Sequence, residues 1–122
     1  MEYRKLPKGE ERISVLGLGN SSMGPEGEKR IAENVEFAIE NGMNYFDMAA
    51  ADGVTFPAFG QAIAGYREKV YMQIHFGADY RSGKYGWTLD LDEIKRSVDW
   101  QLKQLKRDYI DFGVIHCIGG KG

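Results

Sequence analysis

Apolar positions recur along the chain in two alternating rhythms, of helix period and of strand period, and together they lay out a series of elements. Ile31, Val35 and Ala38 fall at i, i+4 and i+7, with Ala32 and Ile39 widening the stripe, which predicts a helix with one face against a sheet. Pro25 followed by Glu26 and Glu28 marks its start, the acids meeting the positive end of the helix dipole, and Asn41-Gly42 marks its stop. Residues 43–46 then read as a short buried strand that delivers Asp47 at its end. After Gly53, Thr55 is expected to cap a second helix carrying Phe59 and Ile63 and ended by Gly65. Residues 68–76 alternate as a strand, with Val70, Met72 and Ile74 on one face and Tyr71, Gln73 and His75 on the other. Leu91, Ile94, Val98, Leu102 and Leu105 draw the clearest helix, opened by a capping box of Asp90 and Glu93 and closed by Lys106-Arg107. Residues 108–116 form the last strand, in which Phe112, Val114 and His116 alternate with Asp111, Gly113 and Ile115.

Ahead of these elements, residues 2–6 and 11–16 flank Pro7-Lys8-Gly9-Glu10, which predicts a hairpin whose second arm runs into the first strand of the sheet. Gly17 and Gly19 invite a dinucleotide fingerprint, but Ser22 takes the third glycine position and no acid follows a second strand at the required distance. Small residues that let a first strand approach its neighbours are the simpler reading. Residues 77–88 lack periodicity and carry Tyr80, Tyr85 and Trp87 among glycines, so they read as a long loop suited to cover a ligand or a partner.

A hairpin followed by strand, helix, strand, helix, strand, helix and strand is the opening half of a (β/α)8 barrel, an α/β fold. An open doubly wound sheet shares that order, and the hairpin, which can close a barrel floor, favours the barrel. The expected organisation is one domain over residues 1–122, with the hairpin at 2–16, the partial barrel at 15–116 and a tail at 117–122 that carries no helix signal. The 122 residues fall short of the about 250 that a complete barrel needs.

Net charge is −2, and no segment concentrates Lys and Arg without interspersed acids, so nucleic acid and anionic membrane are not expected partners. No apolar run resembles a signal peptide or reaches the about 18 residues of a membrane span, which predicts a cytoplasmic protein. Cys117 is the sole cysteine and builds no disulfide framework.

In a parallel α/β fold the C-terminal ends of strands face the binding mouth, which makes Asp47 a candidate for chemistry; a cap for the following helix is the other reading. Asp47, His75 and His116 end three successive strands, and two His with a carboxylate suit a divalent transition metal, with Asp52 or Cys117 to add a ligand or a base. A hydrogen-bonded polar network is the alternative use of the same residues.

Five pieces carry a family resemblance: Tyr3-Arg4-Lys5-Leu6 leading to Ser14-Val15-Leu16-Gly17-Leu18-Gly19; Asn44-Tyr45-Phe46-Asp47; Tyr66-Arg67-Glu68-Lys69-Val70-Tyr71; Gln101-Leu102-Lys103-Gln104-Leu105; and Asp108-Tyr109-Ile110-Asp111-Phe112 ending in His116. In this order the chain resembles the N-terminal half of an aldo/keto reductase, nearest to members that carry an iron–sulfur domain after the barrel. The resemblance implies reduction of a small carbonyl substrate with NADPH by an Asp, a Tyr proton donor, a Lys that lowers the Tyr pKa and a His that orients the substrate. Asp47 and His116 stand at the Asp and His positions, whereas Asp52 stands at the Tyr position and His75 at the Lys position. An ionised Asp52 repels a developing alkoxide, so ordinary carbonyl reduction requires its pKa to be raised by burial. The alternatives are a metal-assisted hydrolase or lyase on Asp47, His75 and His116, and a truncated protein without catalysis that self-associates. The family holds the NADP phosphates mainly on the last two barrel strands, which lie outside these residues, so weak NADPH binding is expected. Two unpaired sheet edges predict a homodimer or a larger assembly.

Overall fold

The computed structural model describes residues 1–66 and 70–116. Its first element is the expected hairpin, β1 (Tyr3–Lys5) antiparallel to β2 (Arg12–Ser14), extended at either end by Leu6 N–H to Glu11 O and Val15 N–H to Glu2 O. A two-residue strand, β3 (Leu18–Gly19), follows. Pro25 does not begin the first α-helix; it sits in a 3-10 turn, Gly24–Glu26, and Gly27 at φ 82° redirects the chain into α1 (Glu28–Glu40). The apolar stripe is buried as read, through Ile31, Ala32, Val35 and Ala38. The helix ends where Asn41-Gly42 marks it: Gly42 takes φ 92°, its N–H donates to Ile39 O, and Met43 N–H reaches back to Ala38 O.

β4 (Tyr45–Met48) starts two residues later than the pattern suggests. Asn44 is the reason. Its Oδ1 accepts from Ser14 N–H at 2.8 Å, its Nδ2 donates to Arg12 O at 3.0 Å, and its own N–H donates to Ser14 Oγ, so the residue is spent on the hairpin. Next comes α2 (Thr55–Ile63), continued by a 3-10 turn over Ala64–Tyr66 that contains Gly65. Thr55 is not its cap: the residue is inside the helix and buried, and its hydroxyl accepts from Asn20 Nδ2 at 2.7 Å. Gly60 lets α2 approach the chain after the third helix, since a Cβ there would lie 2.4 Å from Gln104 O.

β5 (Tyr71–Phe76) keeps the predicted alternation, with Met72 and Ile74 buried; residues 68 and 69 of the expected strand lie outside the described residues. Residues 77–88 are not an irregular loop but an antiparallel ribbon, β6 (Ala78–Asp79) paired with β7 (Gly86–Trp87). α3 (Leu91–Gln104) follows. Only half of its capping box forms, with Asp90 Oδ1 accepting from Glu93 N–H at 3.0 Å, because the Glu93 carboxylate is taken by Arg81 and Arg96. Its buried face is more polar than the stripe suggests. Ser97 Oγ donates to Ala78 O at 2.6 Å and Gln101 Nε2 to Ser97 Oγ at 3.1 Å, holding the ribbon, while Leu91 is 71% exposed and Ile94, Val98 and Leu102 are half-buried. Lys106 then takes φ 55°, a left-handed conformation that closes the helix through Arg107 N–H to Leu102 O.

The last strand, β8 (Phe112–Ile115), is shorter than the predicted 108–116. Four strands form one parallel sheet in the order β3-β4-β5-β8, with Gly19 beside Asp47, Asp47 beside Gln73 and Gln73 beside Phe112. Phe46, Met48, Met72 and Ile74 turn to the helix side and build the core with α1 and α2, where Phe46 meets Phe59 edge-on at 6.0 Å. Alternation therefore sends Tyr45, Asp47, Tyr71, Gln73 and His75 to the other face, where all five are half-buried. No helix among the described residues is long and apolar enough to cross a membrane.

Candidate active site

The site starts from register. Asp47 and Gln73 are neighbours across β4 and β5, so their side chains meet: Gln73 Nε2 donates to Asp47 Oδ1 at 3.1 Å, and Tyr45 OH donates to Gln73 Oε1 at 2.6 Å. Two residues further along β5, His75 places Nε2 at 2.8 Å from the same Asp47 Oδ1. The other ring nitrogen of His75 faces His116: Nδ1 to Nδ1 is 3.4 Å, with the rings edge to face. Beyond it, Tyr85 of the ribbon brings its hydroxyl within 2.5 Å of His116 Nε2. Six side chains thus form one hydrogen-bonded row, from Tyr45 through Gln73, Asp47, His75 and His116 to Tyr85.

Hydrogen placement along the row follows from donor chemistry, and it is assigned by the network. An ionised carboxylate only accepts, so His75 carries its hydrogen on Nε2. Neutral His75 then presents a lone pair at Nδ1, His116 supplies the Nδ1 hydrogen, and His116 Nε2 accepts from the Tyr85 hydroxyl. Every donor points toward Asp47.

Burial, and next the neighbouring His75, hold the His116 pKa below the ordinary histidine value. Burial, and then Asp47, raise that of Tyr45. The Tyr80 pKa, with its ring tilted against that of Tyr85 at 5.9 Å, is pushed up to about 12, chiefly by burial and next by Tyr85. The His116 shift sets a sign for stability. Below about pH 6.5 the unfolded chain takes up a proton that folded His116 resists. Its contribution is complete above that pH and is lost as pH falls toward the depressed folded value. Urea midpoints of the parent are therefore expected to fall more steeply between about pH 7 and pH 5 than those of His116→Gln; parallel curves would contradict the shift.

The structure brings together Asp47, His75 and His116. Asp52 stands apart from that row: its Oδ1 accepts from Val54 N–H at 3.2 Å, its carboxylate lies against Gly24, and its backbone bridges to Lys84. Cys117 lies outside the described residues. Among the described residues, no group of three or more His, Cys, Asp and Glu is arranged to hold a metal ion, and Asp47 meets the His75 ring as a hydrogen-bond acceptor. The row contains no Lys or Arg, so it does not fit the phosphates of a nucleotide; its phenol and imidazoles do fit a carbonyl oxygen. Sequence reading missed Tyr45, Gln73 and Tyr85 as members. Gln73 shares the predicted polar face with His75, and Tyr85 had only its place in a segment rich in glycine and aromatics as a signal.

Residues 15–121 match the aldo/keto reductase family. An uncharacterized oxidoreductase of Bacillus subtilis, YqkF, is 35% identical over 120 residues, which are 95% of this chain and 39% of that protein. Among solved structures, the aldo-keto reductase AKR11C1 from Bacillus halodurans superposes with a TM-score of 0.79 at 27% identity, covering 93% of this chain and 39% of that one. An aldo-keto reductase from Klebsiella pneumoniae in complex with NADPH shares the fold with a TM-score of 0.67 at 20% identity, covering 98% and 41%. The chain spans about 40% of the length of these relatives, and its sheet is the N-terminal half of a (β/α)8 barrel.

Proposed function

Because the chain belongs to the aldo/keto reductase family, we propose that it carries the carbonyl-activating side of an oxidoreductase site. The observation that supports this most is the row of donors ending at His116 and Tyr85, on the strand ends where such barrels do their chemistry. A carbonyl oxygen at that end is polarised toward alkoxide once the Tyr85 hydroxyl donates to it in place of His116, and the half-buried histidines strengthen the hydrogen bonds behind it. A reduced nicotinamide, when bound, supplies the hydride. Asp47 orients His75, His75 orients His116, and His116 holds the Tyr85 hydroxyl beside the oxygen. The row itself holds no cation for the phosphates of that cofactor.

That sets the form of the test. A dihydronicotinamide bearing no phosphate, such as the 1-benzyl derivative, is mixed with an activated aromatic aldehyde and the chain, and absorbance of the reduced ring is followed. The chain is expected to accelerate reduction by about 100-fold over buffer, the lower end of what positioned acid catalysis supplies. His116→Ala is expected to remove most of that gain. A rate equal to that in buffer would defeat the reading.

A further inference from the structure

The Tyr position of the family pattern holds Asp52, yet a tyrosine occupies the neighbouring space. The ribbon lays its Tyr85 N–H on Ala51 O at 3.0 Å and pairs Lys84 with Asp52, so the Tyr85 backbone runs beside the turn that carries the replaced residue and its phenol reaches His116. Resting on the reading of the site given above, we propose that Tyr85 is the proton donor to the carbonyl oxygen, and that its proton is stored on His75 and passed through His116.

The polarity of the row carries the proposal. With both histidines neutral, the Tyr85 hydrogen points inward at His116 Nε2 and is not offered to a ligand. One added proton reverses the outer half. His75 as imidazolium donates at both nitrogens, Nε2–H to Asp47 and Nδ1–H to His116 Nδ1. His116 then carries its hydrogen on Nε2 and donates to the Tyr85 oxygen, so the phenol hydrogen turns outward. The Asp47 carboxylate touches the His75 ring and not that of His116, so His75 is the ring placed to hold the added proton. Burial and the neighbouring ring disfavour charge on His116, in the same sense.

Among the described residues, these groups face the pair. Asp47 lies on β4, Gln73 beside it on β5 is neutral, and Tyr85 comes from the ribbon. Tyr80 packs on Tyr85 and stays neutral with its pKa pushed up to about 12, while Asp52 and Lys84 flank the Tyr85 backbone.

The step balances. A dihydronicotinamide without phosphates, when supplied, would give its hydride to the carbonyl carbon and become oxidised, while the oxygen takes the Tyr85 proton. The phenolate takes the Nε2 proton of His116, and His116 Nδ1 takes the Nδ1 proton of His75. His75 is left neutral with its Nε2–H still on Asp47, and the row has returned to its resting polarity.

Ring nitrogen spectra of the 15N-labelled chain test this directly, at about pH 9 and about pH 5, on either side of the histidine range. The expected result is a change of His116 from the Nδ1–H to the Nε2–H tautomer as His75 becomes doubly protonated. One unchanged His116 tautomer at both pH values would overturn the relay. In the dihydronicotinamide assay, Tyr85→Phe is expected to lose about 100-fold while keeping its urea midpoint; a rate within about twofold of the parent would remove Tyr85 from the role. A parent chain that fails in that assay refutes the carbonyl reading and with it Tyr85 as donor, whereas the spectra decide the relay by themselves.

Discussion

Replacing Asp111 by alanine is expected to lower the unfolding free energy by about 3 kcal/mol, read from urea denaturation. The Arg107 side chain is only 1% exposed, and its Nη1 lies 3.4 Å from Asp111 Oδ2. The same oxygen accepts from Met72 N–H at 2.8 Å, and Asp111 N–H donates to Met72 O, so one carboxylate joins the end of α3 to the edge between β5 and β8. Removing it leaves a buried guanidinium without that anion and a strand amide without its acceptor. Arg107 also donates to the Tyr109 hydroxyl at 2.6 Å and lies over the Tyr109 ring, contacts that temper the loss. Asp111→Asn keeps an acceptor for Met72 and loses only the charge, so it should fall about halfway between. Both variants within about 0.5 kcal/mol of the parent would show that the ion pair does not hold β8.

The two kinds of information in the chain had unequal reach. Helix α1 was legible because its signals are local: an apolar stripe at helical spacing, and a glycine where the chain must turn left-handed. Alternation along 70–76 was legible for the same reason, and it placed His75 on the face opposite Met72 and Ile74 before any contact was known. Long-range partners are what moved the other boundaries. Asn44 pairs with a hairpin 30 residues away, so β4 begins late, and Asn20 takes the Thr55 hydroxyl that would otherwise cap α2. Ser97 and Gln101 stand on the buried side of α3 because they hold Ala78 O, a requirement invisible to a hydrophobic stripe.

The candidate site shows the same division. Strand ends made Asp47, His75 and His116 readable as a set, since parallel strands in sequence order place their C-terminal residues at one mouth. Asp52 follows Asp47 closely in sequence, but the turn after β4 carries it to Gly24 and Lys84. Tyr85 arrives instead, on a ribbon whose two-residue strands are too short for any alternation to show.

Asp47→Asn is expected to slow aldehyde reduction by about 100-fold at neutral pH with little change in fold stability. The substituted carbonyl oxygen can still accept from His75 Nε2–H, so the neutral arrangement of the row survives. What disappears is the negative charge 2.8 Å from the ring. A hydrogen bond to a charged acceptor contributes about 1.5–3 kcal/mol, and at about 1.4 kcal/mol per tenfold its loss is worth about 10-fold to 100-fold in a step that the carboxylate supports through His75. The loss should appear in kcat and leave the urea midpoint nearly unchanged. A neutral rate within about threefold of the parent would separate Asp47 from the proton and leave it as a polar anchor for Gln73.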